Sequence, residues 1–239
     1  MLSVARPPLK TKRVRWAKAY RIISSIFPPI DLFEDTSAPE DWELLASLEA
    51  KSNPRIVEVI GQLALVPPQR RVSGPGASYV MAPFTHISPN WTGRFHDGVY
   101  GVYYAANKSE TALAETMYHR SAIYRASQET PGWFSQYREL IGKVDHSFHD
   151  MTERDDHADC LSHDDYAPSQ TLARDLRQSG SSGILYPSVR HEGGLCIAAF
   201  WPDVIGIPLQ GRHFAYHFNG EFIDMYRDEK SGEVFKIIL

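Results

Sequence analysis

Between residues 61 and 98 the chain is interrupted by Pro67, Pro68, Gly74, Pro75, Gly76, Pro83, Pro89, Gly93 and Gly98, too often for a long helix to persist. Proline removes a backbone donor and glycine raises the entropic cost of ordering, so this stretch is expected to run as turns around short extended pieces. The core must therefore be built from elements on either side of it. Residues 99–105, rich in valine and tyrosine, read as a strand. Asn107, Lys108, Ser109 and Glu110 look like a helix start, and the helix is expected over about 109–126, closed by Thr130, Pro131 and Gly132.

Further elements follow the same logic. Residues 133–144 mix aromatics and aliphatics as a strand does, and 169–178 place Leu172 and Leu176 four apart with Gly180 available as a left-handed cap. Residues 183–188 and 195–200 read as strands. From 213 to 239 the pattern alternates in twos, and Asn219 and Gly220 stand where a two-residue type I′ turn would join antiparallel neighbours in a closing three-stranded meander. Upstream, Ser37 and Glu40 have capping-box spacing before a short helix bearing Trp42, Leu45 and Leu48, ended by Asn53 and Pro54. No repeat or low-complexity tract is present. The expected fold class is α+β, a mostly antiparallel mixed sheet with interleaved helices.

Composition narrows the function classes. A formal net charge of -4 over 239 residues argues against direct nucleic-acid binding by the whole chain, because phosphate affinity needs clustered cations. A basic run does precede the first acidic residue: Arg6, Lys10, Lys12, Arg13, Arg15, Lys18 and Arg21. It reads as a frayed or partner-contacting terminus, with a transit peptide or nucleic-acid arm as alternatives. Two cysteines, Cys160 and Cys196, are too few for a disulfide scaffold, no run is apolar enough to span a membrane, and the N-terminus lacks an apolar signal core. The expectation is a soluble, cytoplasmic protein.

Candidate chemistry lies in two blocks. Glu115 sits in the expected helix among Ala112, Leu113, Ala114 and Met117, where a carboxylate is either a surface residue or a buried group with a job. Arg94, flanked by Gly93, is either a loop arginine or a fork that holds phosphate. Tyr104 is either a core residue or a ring that stacks on a base. Ser188 follows Pro187 at a strand end without the flanking glycines of a nucleophile elbow, so it reads as a hydrogen-bonding group; a serine hydrolase built on it is the enzymatic alternative. The alternative outside enzymes is a partner-binding protein in which Arg94 and Glu115 pair with each other. His146, His149, His157 and His163 lie among acidic residues between 145 and 165, but without metal-ligand spacing, and this stretch reads as a solvated acidic loop with no metal.

Taken together, GRF at 93–95, GVYYAA at 101–106, SETALAE at 109–115 and GILYPSVRHEGG at 183–194 resemble the RES-domain toxins of RES-Xre toxin-antitoxin modules, in order and spacing. The resemblance implies that Arg94, Glu115 and Ser188 are the Arg, Glu and Ser of the family name, that Tyr104 is its site tyrosine, and that Tyr20 and Arg21 match a further Tyr-Arg pair. It implies a fold similar to ADP-ribosyltransferase toxins and NAD+ as the substrate, cleaved at the nicotinamide-ribose bond. The ADP-ribosyl unit would pass to water, phosphate or a protein, such as an enzyme of nucleotide synthesis. An Xre-like helix-turn-helix antitoxin would be the partner. In this reading residues 1–75 are an N-terminal extension, partly helical and packed on the core, and 76–239 the catalytic domain.

Such a reaction suits the residues. Loss of nicotinamide leaves an oxocarbenium-like sugar that a fixed carboxylate stabilises, and the leaving group departs neutral, so neither a general acid nor a metal is required.

Overall fold

A computed structural model of the chain describes residues 7–25, 42–43, 61–90, 92–153 and 155–237. The elements run β1 (Thr11–Ser24), α1 (Ala77–Thr85), β2 (Tyr103–Ala106), α2 (Ser109–Ala126), β3 (Gly132–Asp150), α3 (Ala167–Gln178), β4 (Gly183–Pro187), β5 (Leu195–Ala199), β6 (Leu209–Phe218), β7 (Ile223–Asp228) and β8 (Val234–Lys236). The described strands form one eight-stranded sheet in the order β1-β2-β5-β4-β3-β6-β7-β8. Only the short contact of β3 with β4 is parallel, so the α+β, mostly antiparallel expectation describes the fold.

β1 also pairs with β3, from Thr11 opposite His149 to Ser24 opposite Tyr137, with a register shift between Trp16 and Ala19. Because β1 meets β2 through Tyr20 and Ala106, the strands β1, β2, β5, β4 and β3 close on themselves, and β6, β7 and β8 extend from the other half of β3. Residues 11–24 are thus no frayed terminus. The basic run is held opposite acidic residues of β3: Arg13 donates to Asp145 at 2.7 Å, Arg15 lies 3.6 Å from Asp145, and Lys12 lies 3.4 Å from Asp150. Opposite charges facing each other across a ladder favour this pairing.

The core lies on both faces of the sheet. On β4, Ile184 and Tyr186 face one cluster and Leu185 the other; on β5, Cys196 and Ala198 oppose Ile197 and Ala199. Buried on both sides, these strands read as continuous apolar runs. Ala112, Leu113 and Met117 of α2 and Ala173 of α3 cover one face. Ala77, Val80, Met81 and Phe84 of α1, spaced i, i+3, i+4 and i+7, cover the other.

Several expectations need correction. The stretch 61–98 contains the helix α1, because 77–82 is free of breakers and Pro83 falls near its end. β2 starts at Tyr103, where its ladder with β5 begins opposite Ala199, and Val99 before it is exposed. α2 spans 109–126 as expected, but without a side-chain cap, since the Ser109 hydroxyl donates to Glu139 on β3. Part of the supposed acidic loop belongs to β3, and a kinked 3-10 segment, Asp155–Leu161, buries His157 and Cys160. β6 and β7 are joined by four residues, with the Asn219 Oδ1 accepting from the Glu221 and Phe222 amides, in place of a two-residue turn. The capping box at Ser37 and Glu40 lies outside the described residues, as does the helix it would start except for Trp42 and Glu43, which are helical.

Candidate active site

α2 crosses one face of the sheet and presents Glu115 towards the end of β4. There Pro187 stops the strand and the chain turns back through residues 188–194, closed by the Ser188 amide donating to the Gly194 carbonyl at 2.9 Å. This turn packs on α2. Thr111 Oγ1 lies 2.8 Å from His191 Nδ1, and a Cβ at position 194 would fall 2.5 Å from that same Thr111 oxygen, so glycine is what lets the turn approach the helix.

The outcome is a direct contact: Ser188 Oγ donates to Glu115 Oε1 at 2.6 Å. Ser188 Oγ in turn accepts the Arg190 and His191 amides, each at 3.1 Å, so its orientation is set from both sides. The Glu115 side chain keeps 21% of its surface exposed, enough to reach solvent or a ligand but not to point freely into bulk water. Its second oxygen, Oε2, lies 3.9 Å from His119 Nε2, one helical turn on.

Glu115 lines a cleft of ≈ 340 Å³ that also touches Arg21, Arg94, Tyr104, His96, His119 and Arg120. Arg21 reaches it from β1. Its Nη1 donates to the Tyr104 carbonyl at 3.0 Å, its guanidinium lies 4.6 Å from the Tyr103 ring centre, and its buried Nε has no hydrogen-bond partner among the described residues. Among the described residues no carboxylate pairs with Arg21, and burial lowers its pKa from the usual arginine value. A half-buried cation with no carboxylate partner among the described residues suits an anionic ligand.

Arg94 is not a surface arginine. Only 6% exposed, it donates from Nη1 to the carbonyls of Cys160 at 3.0 Å and Ser162 at 2.6 Å, and it lies 4.8 Å from the Tyr166 ring centre. It thereby ties the cleft wall to residues 160–166. Nor does it pair with Glu115, whose described neighbours are Ser188 and His119. Tyr104 Oη accepts the Phe95 amide at 2.9 Å, fixing the ring beneath the Gly93 to His96 turn, and burial pushes its pKa up so that it stays neutral. The structure therefore brings Glu115 and Ser188 into contact and sets Arg21, Arg94 and Tyr104 around the same cleft; Ser188 itself stands behind Glu115 and does not line it.

Residues 68–219 match the RES domain family model, a span that holds α1, the cleft turn at 93–96, Glu115 and Ser188 and covers well over half of the chain. The chain belongs to the RES domain family. It is 28% identical over 206 residues to the uncharacterized protein y4oC of Sinorhizobium fredii, covering 86% of this chain and 85% of that protein. Among solved structures it is similar to the crystal structure of the M. tuberculosis MbcT-MbcA toxin-antitoxin complex, with a TM-score of 0.45 and 14% identity over 88% of this chain and 87% of that one.

Within the RES domain the cleft holds residues to which the sequence reading gave no role. His96 and His119 both line it, and both have lowered pKa values. For His96 the leading cause is burial, and its Nδ1 has no hydrogen-bond partner among the described residues. For His119 the packed wall and then Arg190, Arg94, His96 and Arg120 bring the pKa down to about 4. The signal available for His119 was its position four residues after Glu115, which puts both on one helical face. Arg21, by contrast, lies outside the matched span and enters the site only because β1 pairs with β2 and β3.

Among the described residues no group of three or more His, Cys, Asp or Glu is placed to hold a metal ion. No helix among them is long and apolar enough to cross a membrane.

Proposed function

We propose that this RES-domain protein is the toxin of a toxin-antitoxin module and acts on NAD+, splitting the nicotinamide-ribose bond and passing ADP-ribose to water, phosphate or a protein. The observation that carries this reading is the Ser188 to Glu115 hydrogen bond at the edge of a cleft also lined by Arg21 and Arg94. As the glycosidic bond breaks, nicotinamide takes the bonding pair and leaves neutral, and positive charge builds on the ribose carbon. A carboxylate already oriented by Ser188 stabilises that charge without having to reorganise.

The remaining residues take roles by their chemistry. Arg21, which has no acidic partner among the described residues, suits the pyrophosphate. Arg94 keeps the wall at 160–166 in place and presents its remaining donors to the substrate. Tyr104, neutral and fixed at its hydroxyl, offers a ring face to the nicotinamide. An Xre-like helix-turn-helix antitoxin is the expected partner, working in the cytoplasm, with residues 1–75 as the extension that supplies Arg21 and 76–239 as the catalytic domain.

The hydrolase alternative fares worse on geometry. Ser188 Oγ gives its proton to a carboxylate and accepts two amides, and the nearby His191 Nδ1 is engaged with Thr111. No imidazole is placed to activate it. The test is to incubate pure protein with NAD+, with and without cell lysate, and to follow nicotinamide, free ADP-ribose and labelled protein. Wild type should release nicotinamide and Glu115→Gln should be slower by about 10²- to 10³-fold. Equal rates in the two proteins, or no nicotinamide release from either, overturn the reading.

A further inference from the structure

Resting on the NAD+ reading, we propose that His119 is a second catalytic residue: the base that takes the proton from an acceptor hydroxyl, water included, as it attacks the ribose cation. The geometry starts from the division of labour on Glu115. Oε1 is committed to Ser188, and the carboxylate must remain an anion beside a cationic sugar, so it is poorly suited to collect a proton at the same moment. His119 stands 3.9 Å from the other oxygen, on the same face of α2, and lines the same cleft with Thr116, Arg120 and Ile123.

His119 is also free to act. Its ring contacts Tyr118 edge-on, yet neither nitrogen hydrogen-bonds a described residue, and half of its side-chain surface is open. The titratable and charged groups around it are Glu115 and Arg120 on α2, Arg94 and His96 from the 93–96 turn and Arg190 from the 188–194 turn. Desolvation against the cleft wall, and then the neighbouring cations, lower the imidazole pKa to about 4. At neutral pH the ring therefore carries a free lone pair.

The step balances. Nicotinamide has left with the electrons of its carbon-nitrogen bond. The acceptor oxygen then forms a bond to the ribose carbon, its O–H bond breaks, the proton passes to a His119 nitrogen, and the imidazolium returns it to solvent.

An attacker without a proton to lose needs no such base, and this gives the test. With full-length protein and NAD+, two rates are measured in the same sample: ADP-ribose formation with water as acceptor, and exchange of labelled nicotinamide into NAD+. His119→Gln, with His119→Asn as a second variant, should slow ADP-ribose formation by about 10²-fold or more while leaving exchange within about threefold of wild type. The retained exchange shows in that tube that the site is folded. If both rates fall together in both variants, or neither falls, His119 is not the base. If wild type performs neither reaction, the NAD+ reading itself fails, and this inference with it.

Discussion

Removing Arg212 tests how the helix bearing Glu115 is pinned to the sheet. Glu139 on β3 is only 2% exposed, and Arg212 on β6 donates to it from Nη2 at 3.1 Å and from Nε at 3.4 Å, while Nη2 also reaches the Ser109 hydroxyl at 2.6 Å. Ser109, the first residue of α2, donates in turn to Glu139 at 2.5 Å. In Arg212→Met the carboxylate keeps Ser109 and a long contact at 3.4 Å from the backbone amide of residue 212 but loses its counter-charge. Breaking a fully buried pair costs about 3–5 kcal/mol. The Arg212 side chain is 44% exposed, so water already screens part of the interaction and the expected loss is about 2 kcal/mol. For a chain of this size that lowers Tm by roughly 4–8 °C. Thermal and urea unfolding measure it. Adding Glu139→Gln removes the stranded charge, so the double variant should be more stable than Arg212→Met alone. If the double variant is no more stable than the single one, or if Arg212→Met costs less than about 0.5 kcal/mol, the pair is not the pin described here.

Other outcomes follow from the same contacts. Ser188→Ala removes a charge-assisted bond worth about 1.5–3 kcal/mol, and kcat for nicotinamide release should fall by roughly 10- to 150-fold with the fold intact; an unchanged kcat counts against Ser188 as the group orienting Glu115. Gly183 has φ +146, and a Cβ there would fall 2.1 Å from the Ala198 carbonyl oxygen across the ladder, so Gly183→Ala should destabilise by at least about 1–3 kcal/mol in urea unfolding, and a wild-type midpoint would contradict the packing. His96, His119 and His149 all have lowered pKa values with burial the leading cause, so below about pH 6.5 the unfolded chain binds protons that the native one refuses. The urea midpoint should accordingly fall between pH 6.5 and 4, by less in His119→Gln, and a midpoint flat over that range refutes the lowered pKa values of these rings.

Local patterns were legible where local forces decide. The limits of α2 follow from its breakers, and β4 and β5 from their unbroken apolar runs. β1 was hidden because Lys12, Arg13 and Arg15 are all exposed, and a basic run near an end looks like a tail until its partner is known. The partner was equally disguised: Asp145 and Asp150 read as loop residues among histidines, although each stretch supplies the counter-charge of the other. Of the candidate site, Glu115 and Ser188 could be named from motif and spacing. That Arg94 spends donors on the carbonyls of Cys160 and Ser162 could not, because those residues come near it only through the tertiary fold.

The ribbon of β1 and β3 also dictates when the cleft can exist. Arg21 belongs to a strand made well before its ladder partner, which begins only at Gly132, and Ser188 is later still. Contacts so distant along the chain close slowly and late. A nascent chain emerging from the ribosome therefore carries one wall without the other, and whatever chemistry the finished cleft performs is withheld until translation has passed residue 188.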